Sequence, residues 1–155
     1  MNVIYAPQQV VTPEKPTLFI AGSIEMGVAS RWQNKVIRCL SGYQGTLLNP
    51  RRKTWDASWH QAIENPEFRE QVDWELDGIE RSDLVAFYFE PGTSSPITLL
   101  ELGLALGLGK QVFIACPPGF WRKGNVDIIA SRHSLAVHAS LPALIKALQA
   151  VLPKL

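Results

Sequence analysis

The chain has 155 residues and a formal net charge of +1, and 46% of its residues are hydrophobic. This length predicts one domain that can bury a sizeable core without disulfides or metals. The near-neutral charge, with acidic and basic residues spread along the chain, argues against a nucleic-acid-binding protein, which would carry a basic stripe.

The start of the chain lacks the basic residues and apolar core of a signal peptide, and no apolar run is long enough to span a bilayer. Cys39 and Cys116 stand in apolar surroundings that are typical of reduced core thiols. The three histidines lack the spacing of metal ligands, so we expect no metal. These features predict a cytoplasmic protein.

The order of the predicted elements indicates an α/β fold. Residues 1–16, with three prolines, predict an irregular arm, and residues 17–155 predict a single domain. The predicted strands are Thr17–Ala21, Gly45–Leu48, Leu84–Phe89, Gln111–Ala115 and Leu135–His138. The predicted helices are Ala29–Leu40, Pro66–Glu80, Pro96–Leu108, Asn125–Ser131 and Leu141–Leu152. Their alternation predicts a three-layer sandwich around a five-stranded parallel sheet.

Ligands of such sheets bind beyond the carboxyl ends of the strands, where the strand order reverses. The segments expected at this edge are residues 22–27, 49–59, 90–95 and 116–125. The predicted helix Pro96–Leu108 has proline at its first position, and Ser95 before it is a plausible N-cap. The free N–H groups at that helix start suit an anionic group.

Two glutamates fall on helix faces that are expected to be buried. Glu75 lies within an apolar stripe formed by Phe68, Val72, Leu76 and Ile79. Glu101 is the only charge in an otherwise apolar helix. A buried carboxylate is costly unless it is paired or lines a cavity. Glu75 could instead reach water at the stripe edge, and Glu101 could be salt-bridged. Paired acids are typical of enzymes that cleave glycosidic bonds, in which one acid attacks and the other moves protons.

Four segments together resemble the nucleoside 2-deoxyribosyltransferase family, from about residue 17 to residue 125. They are FIAGSIEMG, LNPRR, FREQVDWELDGIERSDLVAFYF and SPITLLELGLAL. The resemblance implies a flavodoxin-like fold, no cofactor, a homo-oligomer and a role in nucleotide salvage. It implies that Glu101 attacks C1′ of a 2′-deoxynucleoside and expels one base, after which a second free base takes the sugar. Glu75 matches the position of an aspartate that acts on the base and the nucleophile.

The resemblance also implies binding residues. Gly22 and Ser23 would line the sugar pocket, and Asn125 would reach the neighbouring subunit's sugar, although it could instead be a helix N-cap. The other candidate substrate-binding residues are Ile24, Glu25, Asn49, Arg51, Arg52, Trp55 and Ser95.

Several of these candidates have a second interpretation. The arginine pair of the NPRR turn could bind phosphate or a base edge, or could be solvated. Trp55 and Trp59 could stack on a base or anchor their loop. Ser95 stands where longer transferases carry aspartate and looks more like the serine with which related hydrolases hold a 5′-phosphate. The sequence therefore leaves open a hydrolase of deoxynucleosides or their monophosphates, and a non-catalytic nucleotide-binding module.

Overall fold

A parallel β-sheet forms the centre of the molecule in the computed structural model, which describes residues 1–24 and 29–154. Within these residues the strands are β1 (Asn2–Tyr5), β2 (Thr17–Gly22), β3 (Thr46–Asn49), β4 (Leu84–Tyr88), β5 (Gln111–Ala115) and β6 (Val137–His138). The helices are α1 (Trp32–Leu40), α2 (Pro66–Arg81), α3 (Pro96–Gly107), α4 (Lys123–Arg132) and α5 (Leu141–Val151). None of these helices is both long and apolar enough to cross a membrane.

Alternating side chains of the strands build two cores, one on each face of the sheet. Leu18 and Ile20 of β2 are buried against α1 and α5, which contribute Val36 and Leu144 among others. The intervening residues of β2, such as Phe19, are buried on the opposite face with α2, α3 and α4. The predicted three-layer α/β class is therefore confirmed, because strands buried on both faces require helices on both sides.

The sheet has six strands rather than the five that the sequence predicted. The additional strand lies in the arm that was expected to be irregular, where Asn2–Tyr5 pairs in parallel with Thr46–Asn49. The strand was not predicted because the prolines in residues 1–16 indicated irregular structure. However, the first of them, Pro7, follows the strand and does not interrupt its hydrogen bonds. The branched and aromatic side chains of this segment suit a strand.

The strand order is β1-β3-β2-β4-β5-β6. Without β1, this is the flavodoxin-like order, in which the chain first moves outward from β2 to β3 and then returns across β2 to β4. The order therefore reverses between β2 and β4. The loops that follow these two strands flank the crevice where ligands of this fold bind.

The two cysteines have different environments. Cys116, directly after β5, is buried, as expected for a core thiol, whereas Cys39 is exposed on α1. The prediction of a core thiol was wrong for Cys39 because its neighbour Leu40 is the residue of that turn that faces the sheet.

Helix α2 approaches the sheet closely at Gly78. A Cβ atom at this position would lie 2.7 Å from Cε2 of the buried Phe19 ring, whereas a Cβ at Gly103 of α3 would meet open space. Both glycines are helical, and therefore the two sites differ in packing and not in backbone conformation.

We predict that Gly78→Ala lowers the free energy of unfolding by about 1–3 kcal/mol, because overpacking at Phe19 outweighs the gain in helix propensity. Gly103→Ala is the matched control and should raise it by about 0.5–1 kcal/mol. Urea unfolding of the three proteins measures both changes. Equal stability of the two variants would contradict the close packing of α2 against β2.

Candidate active site

The crevice between β2 and β4 begins at Gly22, the last residue of β2. A Cβ atom here would lie 2.4 Å from the carbonyl oxygen of Tyr88 and 2.6 Å from Cζ2 of Trp32. Trp32 is held in place because its indole N–H donates to the carbonyl of Ser23 over 2.9 Å. Only glycine therefore fits at the position where the sequence predicted a sugar pocket.

A cluster of three hydroxyl groups joins the loops that follow β2 and β4. The buried Ser23 Oγ lies 2.6 Å from Ser95 Oγ and 2.8 Å from Thr93 Oγ1, and Thr93 and Ser95 are 2.9 Å apart. Thr93 donates to the Glu90 carbonyl, and the Glu90 N–H donates to Ser23 Oγ over 2.9 Å. Thr93 was not among the residues predicted from the sequence, although a turn rich in hydroxyl groups after a strand at the ligand edge could have indicated it.

Ser95 stands at the N-cap position of α3 but does not cap the helix with its side chain. Its backbone is left-handed, with φ of 46°, and its hydroxyl is directed into the cluster with Ser23 and Thr93. Ser95 is thus the N-cap residue, as predicted, but its hydroxyl hydrogen-bonds across the crevice and not to the first turn of its own helix. A role of Ser95 in holding a phosphate stays a prediction.

Glu101 lies on α3, one turn inside the helix, and is only 6% exposed. Among the described residues, no side chain forms an ion pair or hydrogen bond with its carboxyl group. Within this part of the chain, the alternative that Glu101 is salt-bridged therefore does not hold. Burial, and in second place the negative charge of Glu75, raise the pKa of Glu101 well above its ordinary value. An ionised carboxyl group at this position therefore lowers the stability of the fold.

Glu75 lies on α2, which packs against α3. Burial raises the pKa of Glu75 from 4.5 to about 7, and a hydrogen bond from Gln71 acts in the opposite direction. That bond runs from Gln71 Nε2 to Glu75 Oε1 over 2.8 Å. Glu75 is therefore a half-buried acid at the edge of the apolar stripe, and its charge acts on Glu101.

The two carboxyl groups titrate as a pair because the charge of one raises the pKa of the other. At neutral pH, such a pair retains a proton and thus contains a carboxylate and a carboxylic acid. This combination supplies a nucleophile and a proton donor in the same low-dielectric site. Elsewhere in the part of the chain that the structure describes, no three His, Cys, Asp or Glu side chains cluster as metal ligands would.

The turn after β3 is braced by Arg51, whose guanidinium donates to the carbonyls of Ala29 and Ser30 and to Gln33 Oε1 over 2.8–3.2 Å. The side chain of the buried Asn49 accepts from the Arg51 N–H over 3.0 Å. Burial, followed by the charge of Arg31, lowers the pKa of Arg51. Asn49 and Arg51 thus lie at the predicted edge, where Arg51 binds protein oxygens and links two loops.

The long loop after β3 is packed onto α2 by Arg52, which bonds Glu70 over 2.8 Å and lies over the Trp59 ring at 5.1 Å. Trp55 meets Trp59 edge-to-face at 5.2 Å. The Trp55 indole N–H is buried and has no partner among the described residues. Trp59 thus contacts Arg52 and Trp55 of its own loop, and stacking of Trp55 on a base stays a prediction.

The remaining candidates are Ile24, Glu25 and Asn125. Ile24 is half-buried and accepts from the Ala29 N–H over 3.2 Å, whereas Glu25 lies outside the described residues. Asn125 is exposed in the first turn of α4, whose N-cap is Arg122, which rules out the N-cap alternative for Asn125. The structure does not bring Asn125 into the cluster around Glu75 and Glu101.

Asn125 borders an open groove of about 500 Å³ between α3 and α4. The residues that line this α3/α4 groove are Leu99, Leu102, Arg122, Asn125, Val126, Ile128, Ile129 and Arg132. On the same two helices, Ile97, Leu100 and Ile128 are each about 60% exposed. This apolar face is unpartnered in the single chain.

We predict that Glu75→Gln alters the pH dependence of stability. Because the folded-state pKa of about 7 exceeds 4.5, folded protein retains a proton that the unfolded chain has lost between these values. Wild-type stability therefore falls as the pH rises through this window. Relative to that of the wild-type protein, the free energy of unfolding of Glu75→Gln should rise by up to about 3 kcal/mol between pH 4.5 and pH 8.

Urea unfolding at several pH values measures this gain, and Glu80→Gln, which alters an exposed acid on the same helix, is the control. Parallel pH profiles for the wild-type protein and Glu75→Gln would contradict the raised pKa.

A known protein family matches most of the chain. The sequence model of the family described as "nucleoside 2-deoxyribosyltransferase like" matches residues 15–120, which include Ser23, Glu75, Ser95 and Glu101 but not Asn125. A search of curated proteins gave no match. Among solved structures, a conserved protein from Enterococcus faecalis V583 aligns over 84% of this chain and 86% of its own, with 15% identity and a TM-score of 0.49. Since the family match covers most of the chain, including both helices that carry the acid pair, the protein belongs to the nucleoside 2-deoxyribosyltransferase-like family.

Proposed function

We propose that the protein is a nucleoside 2-deoxyribosyltransferase, which exchanges the base of 2′-deoxynucleosides through a covalent intermediate on Glu101. The observation that carries this proposal is the pair of the half-buried Glu75 and the buried Glu101 on adjacent helices, in which the charge of one acid acts on the other. A reaction of this type returns free bases to nucleosides and thus belongs to nucleotide salvage. The free thiols of Cys39 and Cys116 fit a reducing cytoplasm.

In the first half-reaction, the proton of the pair lies on Glu75, and the ionised Glu101 attacks C1′ of the nucleoside. The C1′–N bond breaks and its electron pair moves to the base, which takes the proton of Glu75 and leaves as the neutral base. Glu101 is then esterified with 2-deoxyribose, and Glu75 is a carboxylate. The esterified Glu101 carries no charge, which relieves the repulsion between the two acids.

In the second half-reaction, a ring nitrogen of the incoming base attacks C1′. The proton of that nitrogen passes to Glu75, and the bond between Glu101 and the sugar breaks to restore the carboxylate. A pKa near 7 suits Glu75 for both directions of proton transfer. Burial of Glu101 keeps water from the ester between the two steps.

The sugar is assigned to the loop after β2 and to Ser95, because Gly22 and Ser23 line the crevice between β2 and β4. The base is assigned to the turn at residues 49–52 and to Trp55, whose buried N–H lacks a partner among the described residues. A deoxy sugar suits this site because a 2′-hydroxyl destabilises the positive charge that develops at C1′.

Incubation with thymidine and adenine should yield deoxyadenosine and thymine in equal amounts, which chromatography measures. Glu101→Gln should abolish both products, and Glu75→Ala should lower the rate about 10²–10⁴-fold because proton transfer is lost. Circular dichroism establishes that the variants fold.

Thymine released at an unchanged rate without adenine would identify a hydrolase. Tight nucleoside binding by calorimetry, without product over hours, would identify a binding module. Either result would contradict transfer.

We also propose that two copies pack through the apolar face of α3 and α4 and that Asn125 of one copy serves the site of the other. This face exposes Leu100 and Ile128, a degree of exposure typical of an interaction surface. The exposed Asn125 beside the α3/α4 groove and away from its own acid pair fits a role in trans.

A complementation experiment tests this arrangement. Asn125→Ala and Glu101→Ala should each be inactive alone. After mixing and subunit exchange, half of the dimers carry one intact site, so that activity should recover to about a quarter of the wild-type value. Light scattering should show dimers that Leu100→Asp converts to monomers. No recovery in exchanged mixtures, or a monomeric wild-type protein, would contradict the proposal.

A further inference from the structure

Gln71 is a buried glutamine on α2, 3% exposed, and both hydrogens of its amide are engaged. Nε2 donates to Glu75 Oε1 and to the carbonyl oxygen of Pro50, each over 2.8 Å. Its own Oε1 is buried, and no donor among the described residues reaches it. A leucine of similar size would avoid this cost of desolvation, so stability alone does not explain a glutamine here.

The position of Gln71 on α2 explains why its amide reaches both Glu75 and Pro50. Gln71 precedes Glu75 by four residues, and side chains with this spacing are neighbours on one helix face. Pro50 follows β3 directly and lies in the turn that Asn49 and Arg51 hold. Gln71 therefore ties the side chain of Glu75 to the end of a strand, so that the acid is held by the sheet as well as by its own helix.

We propose that Gln71 is a positioning residue that fixes the orientation and protonation of Glu75 for proton transfer to and from the base. This inference rests on the proposed function. Because the amide N–H occupies Oε1, the acidic proton resides on Oε2, the oxygen that Gln71 leaves unbonded. When Glu75 gives up its proton in the first half-reaction, the same N–H stabilises the new carboxylate.

The groups around Glu75 determine how readily it ionises. On the neighbouring helix α3, Glu101 is close enough for the negative charge of Glu75 to raise its pKa. No ion pair joins Glu75 to a cation within the part of the chain that the structure describes. The hydrogen bond from Gln71 is the interaction that lowers the pKa of Glu75 against the effect of burial. Its loss should therefore raise that pKa.

Carbon-13 NMR titration of glutamate-labelled protein tests the proposal without substrate, and the signal lost in Glu75→Gln identifies the Glu75 carboxyl. Gln71→Leu removes the donor, and Gln71→Met is a second variant of similar volume in case the first does not fold. Gln149→Leu is the matched control, because Gln149 of α5 also donates its amide to a backbone carbonyl, that of Cys39, over 3.0 Å.

We expect the Glu75 midpoint to move to higher pH in the Gln71 variants and to stay unchanged in Gln149→Leu. In base exchange, kcat should fall about 10–100-fold with little change in KM, and the pH limb due to Glu75 should shift in the same direction. A Glu75 midpoint that does not move, or that moves equally in the control, would overturn the proposal. Absence of exchange by the wild-type protein would refute the transfer reaction alone, because the titration needs no activity.

Discussion

The repulsion between two acids that are poorly exposed to water is the constraint on which the rest of the site depends. Glu101 is buried and Glu75 is half-buried, and each is harder to ionise than an exposed glutamate. A stable fold would normally avoid such a pair or provide a cation, and none is paired with either acid among the described residues. In the proposed reaction, this cost has a purpose, since the raised pKa of Glu75 makes its proton available to a leaving base.

The topology of the sheet brings these acids together. Helix α2 precedes β4 and α3 follows it, and both contact β2 on the face of the sheet that buries Phe19 and Phe87. Close packing at Gly78 holds α2 on the sheet. The hydroxyl cluster around Ser23 fixes the start of α3 across the crevice. The site is thus built on packed elements, and its loops are tied to one another by Arg51 and Thr93.

The sequence predicted those features that depend on local pattern. Apolar runs between turn residues located β2 to β6 to within two residues at each boundary, and the three-layer class followed from their alternation. Glu101 was recognisable as a lone charge in an apolar helix and Glu75 from helical periodicity. Both signals are local, because they depend only on which face of one helix is buried.

Other features depend on contacts between distant segments and were not predictable from pattern. Strand β1 is defined by its pairing with β3, more than forty residues away. Arg51 binds carbonyls of the loop after β2, and Thr93 meets Ser23 from the far side of the crevice. Gln71 gave no signal in the sequence because a polar helix residue usually faces water, and only the position of Pro50 explains its burial.

Mass spectrometry of the protein, quenched during reaction with thymidine in the absence of an acceptor base, tests whether Glu101 forms a covalent bond with the sugar. We expect a mass increase equal to one 2-deoxyribosyl group, which peptide mapping places on Glu101 and which disappears when adenine is added. Thymine release with Glu101 unmodified, or a sugar attached to another residue, would contradict the covalent role of Glu101.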